Sequence, residues 1–335
     1  MNKPNNNISN NRFSNFKPRL TEINRSWGTQ LSVLGAILLL MIVFSISSPY
    51  FFTFKNLVNV GHYMSIMGIL AAGCTVALII GALDVSQYSN LALTGVFCIL
   101  LDRAGVSVWI IFIFALVAGT LLGLLNGFIV TVLKINPIIG TIASGMVMRG
   151  ITYMITEGKS LSVSPERFDI YYALGRGTVL GIPITIIIMA LVYLIIFIIL
   201  KYTSFGRQIF AVGGNPDASY LAGINIKNVR IGALMIAGTT AGIGGFFLLA
   251  QIGSMQPNTG EATLLDIIAA VLIGGLSLAG GKGKLTGTIL GVITLVIIQN
   301  GMTLLGIQAF WQMIVRGVIV LVAVYIDVLR GGGYK

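Results

Sequence analysis

The sequence predicts an all-α polytopic membrane protein of about ten transmembrane helices. Three observations predict it. The 335 residues are 56% hydrophobic and 9% charged, with a mean hydropathy of +0.94, a balance that no soluble domain of this size shows. The apolar residues collect in ten runs, most of them near the ~20 residues that cross a hydrocarbon core. The charges sit between those runs, so the net charge of +11 forms no basic face of the kind that binds nucleic acid.

Taken in order, residues 1–26 are Asn-rich and carry Lys3, Arg12, Lys17, Arg19 and Arg25, the composition of a disordered tail. The first apolar run, Trp27 to Ser47, is longer than a signal-peptide core and is followed by no small-residue cleavage site, so it reads as a retained helix. Nine more runs follow: Tyr63–Ala82, Ser86–Leu101, Ser107–Leu133, Pro137–Ile155, Val179–Leu200, Ile231–Ile252, Leu264–Gly280, Leu285–Leu305 and Gln308–Val328. The third and eighth runs are short and flanked by Gly or Ser, the signature of a broken or tilted span. Residues 27–330 thus form one transmembrane domain, interrupted by a polar loop at 201–230.

Ten spans put both termini on one side of the membrane. With that side cytoplasmic, fourteen of the cations in the tail, loops and C-terminus fall inside, among them Lys134, Lys201, Arg207, Lys227, Arg230, Lys282 and Lys284. Five fall outside: Lys55, Arg103, Lys159, Arg167 and Arg176. This is the positive-inside asymmetry.

The loop KYTSFGRQIFAVGGNPDASYLAGINIKNVR (Lys201–Arg230) holds a short helix marked at both ends. Asn215 is a good N-cap, Pro216 suits the first position, and Asp217 complements the positive end of the dipole. Gly223 follows Ala222 where a left-handed residue would close the helix. Spacing alone leaves two readings open, a docking surface for a soluble partner and a solvated connector.

Two cations lie within spans, Arg149 in the fifth and Arg316 in the tenth, and such charges face the protein interior. Asp266 begins the eighth span on the same side as Arg316. The two can form a structural ion pair, or Arg316 can meet a substrate. Gly238, Gly242 and Gly245 share one face of the seventh span, and Gly119, Gly123 and Gly127 recur every four residues in the fourth. Both stripes allow close helix packing.

Catalytic readings fail on spacing. LAGGKGK (Leu278–Lys284) lacks the phosphate-loop pattern, because Leu276 stands where the first Gly belongs and Gly283 follows Lys282. His62 is the single histidine, which excludes an HExxH zinc site. Cys74 and Cys98 lie in apolar runs as small core residues. No enzyme activity, metal site or cofactor is expected in this chain.

The densest signals are GRQIFAVGGNPDASYLAGIN (Gly206–Asn225), Gln256-Pro257, LLDIIAAVLIGGLSLAGGKGKLTGTILG (Leu264–Gly291), then NGMTLLGI and WQMIVRGVIVLVAV. In these stretches the chain resembles a permease subunit of the ribose-type, or monosaccharide, ATP-binding-cassette importers, within the branched-chain amino acid and ribose permease superfamily. The resemblance runs from about Asn56 to Val328. Gly81-Ala-Leu-Asp84-Val-Ser86 is a second mark of that family. Its members usually place Gly two residues after the Ser, and this chain has Tyr88.

The resemblance implies a fold of two related inverted halves in a multi-pass protein of a bacterial plasma membrane, and a homodimer of permease chains. It implies a cytoplasmic ATPase that uses ATP and docks on Pro216–Ala222, and an extracytoplasmic binding protein that delivers the sugar. Lys201–Arg230 becomes the coupling element, with Arg207 and a Gly213-Gly214 hinge positioning the helix. Asp84, Gln251, Gln299 and Asn300 are pathway candidates by position, although each could bond to a neighbouring helix instead. The alternative from another class is an ion-coupled secondary transporter of a small polar solute, for which Asp84 is the one intramembrane acid to cite.

Overall fold

The computed structural model describes residues 17–261 and 263–331, so residues 1–16 of the expected tail lie outside it. The chain is a helical bundle. Its helices are α1 (Lys17–Ser47), α2 (Phe54–Ile79), α3 (Gln87–Arg103), α4 (Val108–Thr131), α5 (Pro137–Thr156), α6 (Phe168–Arg176) and α7 (Ile184–Tyr202). They continue with α8 (Ser204–Gly214), α9 (Pro216–Leu221), α10 (Ile226–Ile252), α11 (Thr263–Ile273), α12 (Leu285–Leu304) and α13 (Ala309–Gly331). Among the described residues, eight helices are long and apolar enough to cross a membrane; α3 and α11 are shorter.

Several limits differ from those the apolar runs suggest. The helix α1 begins at Lys17, within the stretch read as a disordered tail. Once nucleated, a helix propagates into polar sequence at little cost. Likewise α2 begins at Phe54, where Thr53 caps it by accepting a hydrogen bond from the amide of Asn56. The sixth span begins at Ile184 rather than Val179, because Thr178–Val179 and Ile182–Pro183 pair as a small hairpin around Leu180-Gly181, both at positive φ. The eighth run yields only α11, which ends before Gly274.

The core is built on small residues. Helices α4 and α10 run antiparallel, with Gly119, Gly123 and Gly127 meeting Gly242, Gly238 and Ile231 in turn. A Cβ on Gly119 would stand 2.5 Å from the carbonyl oxygen of Gly238 and 2.8 Å from the Cα of Gly242. Without a hydrophobic drive between helices in lipid, such backbone contact is what joins them. Gly245 faces α3 instead, against Leu91. Asn90 of α3 donates to the Gly119 carbonyl (3.2 Å) and Gln87 to the Ala237 carbonyl (3.1 Å), binding the third helix to this pair.

Helices α2 and α11 end in the same way. Gly81 and Gly275, both at positive φ, donate to the carbonyls of Leu78 and Leu272, and the next residues reach back to Ala77 and Val271. This paired 5→2 and 6→1 bonding is the Schellman ending.

One face of the bundle carries α8 and α9. The apolar span of α1 begins near the same face, since Gln30 donates to Thr286 at the start of α12 (3.0 Å). That face also holds the end of α13, whose Asp327 accepts from the amide of Leu278 (3.0 Å). The opposite face is a cap in which Leu161–Ser162 pairs antiparallel with Ser254–Met255, and α6 packs beneath with Tyr171 buried 6.1 Å from Phe246. Arg103 and Arg167 tie this cap to the end of α3, where Asp102 accepts from the Ser164 amide at 2.7 Å and lies 3.5 Å from Arg167.

Candidate functional site

Two regions concentrate polar or exposed side chains that folding alone does not require: the α8–α9 loop on one face, and a polar passage towards the other.

The loop folds from its own sequence. Thr203 ends α7 and caps α8 by accepting from the Gly206 amide (3.1 Å). Asn215 caps α9, its side chain accepting from the Ala218 amide (3.0 Å), and Pro216 stands at the first turn. Ala222 is the C-cap of α9. Gly223, at φ +80°, donates to Tyr220, and Ile224 reaches back to Ser219. Arg207 and Asp217 are exposed. So are Tyr220 (72%) and Leu221 (86%), an apolar tip with nothing of its own chain over it. The sequence signal for that tip was two apolar residues ending a short helix in a polar loop.

Gly213 and Gly214 form the last turn of α8. Neither residue has positive φ, and both belong to the helix. Gly213 is a glycine because backbone approaches backbone. A Cβ on Gly213 would overlap the carbonyl oxygen of Ile79, the last residue of α2. That carbonyl also accepts from the Gly281 amide (2.7 Å), and a Cβ on Gly281 would stand 2.6 Å from the Cα of Gly214. Three segments therefore meet without side chains between them: the end of α8, the end of α2, and the Gly280-Gly281 turn between α11 and α12.

Two neighbouring cavities share Tyr63. One, of about 220 Å3, is lined by Asn59, Tyr63, Gln299, Asn300, Gln312 and Arg316 among others. The other, of about 60 Å3, includes Tyr63, Tyr88, Gln251 and Thr263. Three of the four pathway candidates thus line these cavities. Asn300 exchanges two amide bonds with Asn56 (2.9 and 2.8 Å), and Gln251 donates to the His62 carbonyl (3.2 Å). Gln299 differs from both. It is buried beside Asp266 and Tyr63, with which its amide interacts, although neither amide atom makes a hydrogen bond of regular geometry.

Arg316 Nη1 lies 3.5 Å from Asp266 Oδ2, joining α13 to α11 beside Gln299. Its Nε is buried without a partner, as are Nε and Nη2 of Arg149. Arg149 pairs with Glu261 (2.8 Å) and stands over the Tyr88 ring, 4.7 Å from its centre. Tyr63, Tyr88 and Gln312 were missed as lining residues, because only tertiary contact brings them to the passage.

The structure places Asp84 elsewhere. It is 2% exposed and lines neither cavity. One of its oxygens accepts from the amide (2.9 Å) and hydroxyl (2.6 Å) of Ser86. Asn126 donates to the Ser86 oxygen (2.6 Å) and accepts from Ser144 (2.6 Å). This network shapes the connection between α2 and α3 and fastens it to α4 and α5.

Residues 56–324 match the family described as the branched-chain amino acid transport system permease component. The chain is 36% identical over 318 residues to the ribose import permease of Haemophilus influenzae, covering 95% of this chain and 97% of that one. It is 35% identical over 291 residues to the ribose import permease of Bacillus subtilis, with 87% and 90% covered. With the L-arabinose transport system permease of Escherichia coli it shares 36% over 303 residues, with 90% and 91% covered. No solved structure matches the chain.

Proposed function

Because the chain belongs to the permease-component family of branched-chain amino acid transport systems, we propose that it is the membrane-spanning subunit of an ATP-driven sugar importer in a bacterial inner membrane. It is a transport component and not an enzyme. The observation that carries the sugar assignment is the identity to ribose and arabinose permeases over nearly the whole chain.

In this reading the α8–α9 face is cytoplasmic, supported by the excess of cations in its loops. An ATPase that consumes ATP docks on Tyr220 and Leu221. Its closure reaches α2, α11 and α12 through the glycine contacts of Gly213 and Gly281, so the coupling role extends from Arg207 and Asn215–Gly223 to that junction. An extracytoplasmic binding protein meets the cap face, and two copies of the chain form the transporter. The solute passes Tyr63, Tyr88, Gln251 and Gln299, whose aromatic faces and uncharged amides suit a neutral polyhydroxy ring. Support for ion coupling is weaker, because Asp84 sits in its own hydrogen-bond network away from this passage.

The test is reconstitution of the chain in vesicles with its ATPase and binding protein, followed by uptake of labelled ribose, arabinose and leucine. Sugar uptake that needs both ATP and the binding protein is expected. Uptake that persists without ATP and stops when an uncoupler collapses the ion gradient would refute the reading.

A further inference from the structure

We propose that the cleft between α4, α5 and α10 is a binding site for the phosphate of an anionic membrane lipid. The cleft has a volume of about 250 Å3 and is lined by Val130, Thr131, Lys134, Ile135, Asn136, Pro137, Ile226, Lys227 and Arg230. Three of these are cations and none is an acid. Among the described residues, no ion pair uses Lys134, Lys227 or Arg230. The Nε of Arg230 is buried inside the protein without a hydrogen-bond partner. A partly buried guanidinium with an open N–H, flanked by two further cations, is the arrangement that a phosphate group completes.

The chain prepares the site locally. Lys134 has φ +56°, a left-handed conformation uncommon for a side-chain-bearing residue, in the short turn that brings α5 back against α4. The amides at the start of α5 are taken by Asn136, and that of Asn228 in α10 by Asn225, so side-chain cations and not helix ends supply the charge.

The surroundings point to a lipid and not a free anion. The cleft lies where the apolar helix α4 ends and the apolar helix α5 begins. Its other walls are Val130, Ile135, Pro137 and Ile226. Beside it Leu133 (54%) and Ile139 (65%) are exposed, and the outer sides of α4 and α5 continue the apolar surface through Leu125, Phe128, Ile142 and Met146. Acyl chains can lie along that surface while the phosphate meets the cations. Basic clefts between spans are a known form of headgroup site.

The experiment uses the full-length chain in nanodiscs holding equal amounts of phosphatidylcholine and phosphatidylglycerol, extracted gently and examined by native mass spectrometry. The chain is expected to retain phosphatidylglycerol in preference. Lys227→Gln and Arg230→Gln should each lower that retention roughly fivefold, the ratio equivalent to ~1 kcal/mol for a cation at the membrane surface. Lys55→Gln, on the opposite face, should leave it unchanged, and Lys227→Arg should preserve it. Equal retention of both lipids by the unaltered chain overturns the proposal without recourse to any variant. So does loss of retention in Lys55→Gln equal to that in Arg230→Gln. Millimolar inorganic phosphate is expected not to raise the melting temperature; a rise matching that from phosphatidylglycerol would assign the cleft to a soluble anion instead.

Discussion

Gly213 of α8 lies against the carbonyl oxygen of Ile79 with no space for a Cβ between them. This contact makes the loop and the end of α2 one mechanical unit. Gly213→Ala should therefore push α8 off the bundle and destabilise the chain by about 1–3 kcal/mol, as overpacking does. Gly214→Ala is the control, because a Cβ there meets nothing within 4 Å. Thermal unfolding and ATP-driven uptake of the two variants check this; equal behaviour would remove the junction from the coupling route.

The ends of α9 offer a milder perturbation. Asn215→Ala removes the N-cap bond to Ala218 and should weaken the helix by ~1 kcal/mol. Gly223→Val should do more harm, since a β-branched residue resists φ +80°. Both chains should still insert, and both should lose ATPase co-purification together with uptake. Normal binding and transport by Gly223→Val would leave α9 a connector only.

Orientation can be read with thiol reagents, because Cys74 and Cys98 are buried and contribute little background. A cysteine at Ser160, exposed on the cap face, should label from outside intact cells. One at Leu221, exposed on α9, should label only after the membrane is opened. The position of Ser219 is unsuitable, being buried. Labelling of Leu221→Cys in intact cells would invert the topology.

Arg316 and Asp266 test the passage. Arg316→Leu leaves a buried carboxylate without its counter-charge, a loss of roughly 3–5 kcal/mol. Arg316→Leu combined with Asp266→Leu should recover most of the lost melting temperature. Gln299→Leu should cost little stability, since its amide makes no hydrogen bond of regular geometry, yet reduce sugar uptake. A double variant as unstable as Arg316→Leu alone contradicts the pairing; full uptake by Gln299→Leu removes that amide from the path.

How much of this was legible in the chain depended on range. The caps of α9 could be read directly, because Asn215, Pro216 and Gly223 act within one or two turns. The glycine stripes of α4 and α10 were visible as faces, but that they oppose each other was not, since residues 119 and 242 share no local pattern. The helix α8 was hidden by its two terminal glycines, of which Gly213 is a backbone contact that no local pattern reveals. The polar start of α2 carries no hydropathy signal. Asp84 looked like an intramembrane acid available for transport, and its bonds to Ser86 and to the distant Asn126, itself held by Ser144, give it a structural place.

The cavity that Tyr63 and Tyr88 share has a consequence for the resting state of the permease. The space between them and Gln251, about 60 Å3, admits a few waters but no sugar ring. Arg149 holds Tyr88 from one side, and Glu261 holds Arg149. On the pathway proposed above, a sugar can therefore pass only when Tyr63 or Tyr88 moves, and a smaller residue at position 88 would widen the cavity without that movement.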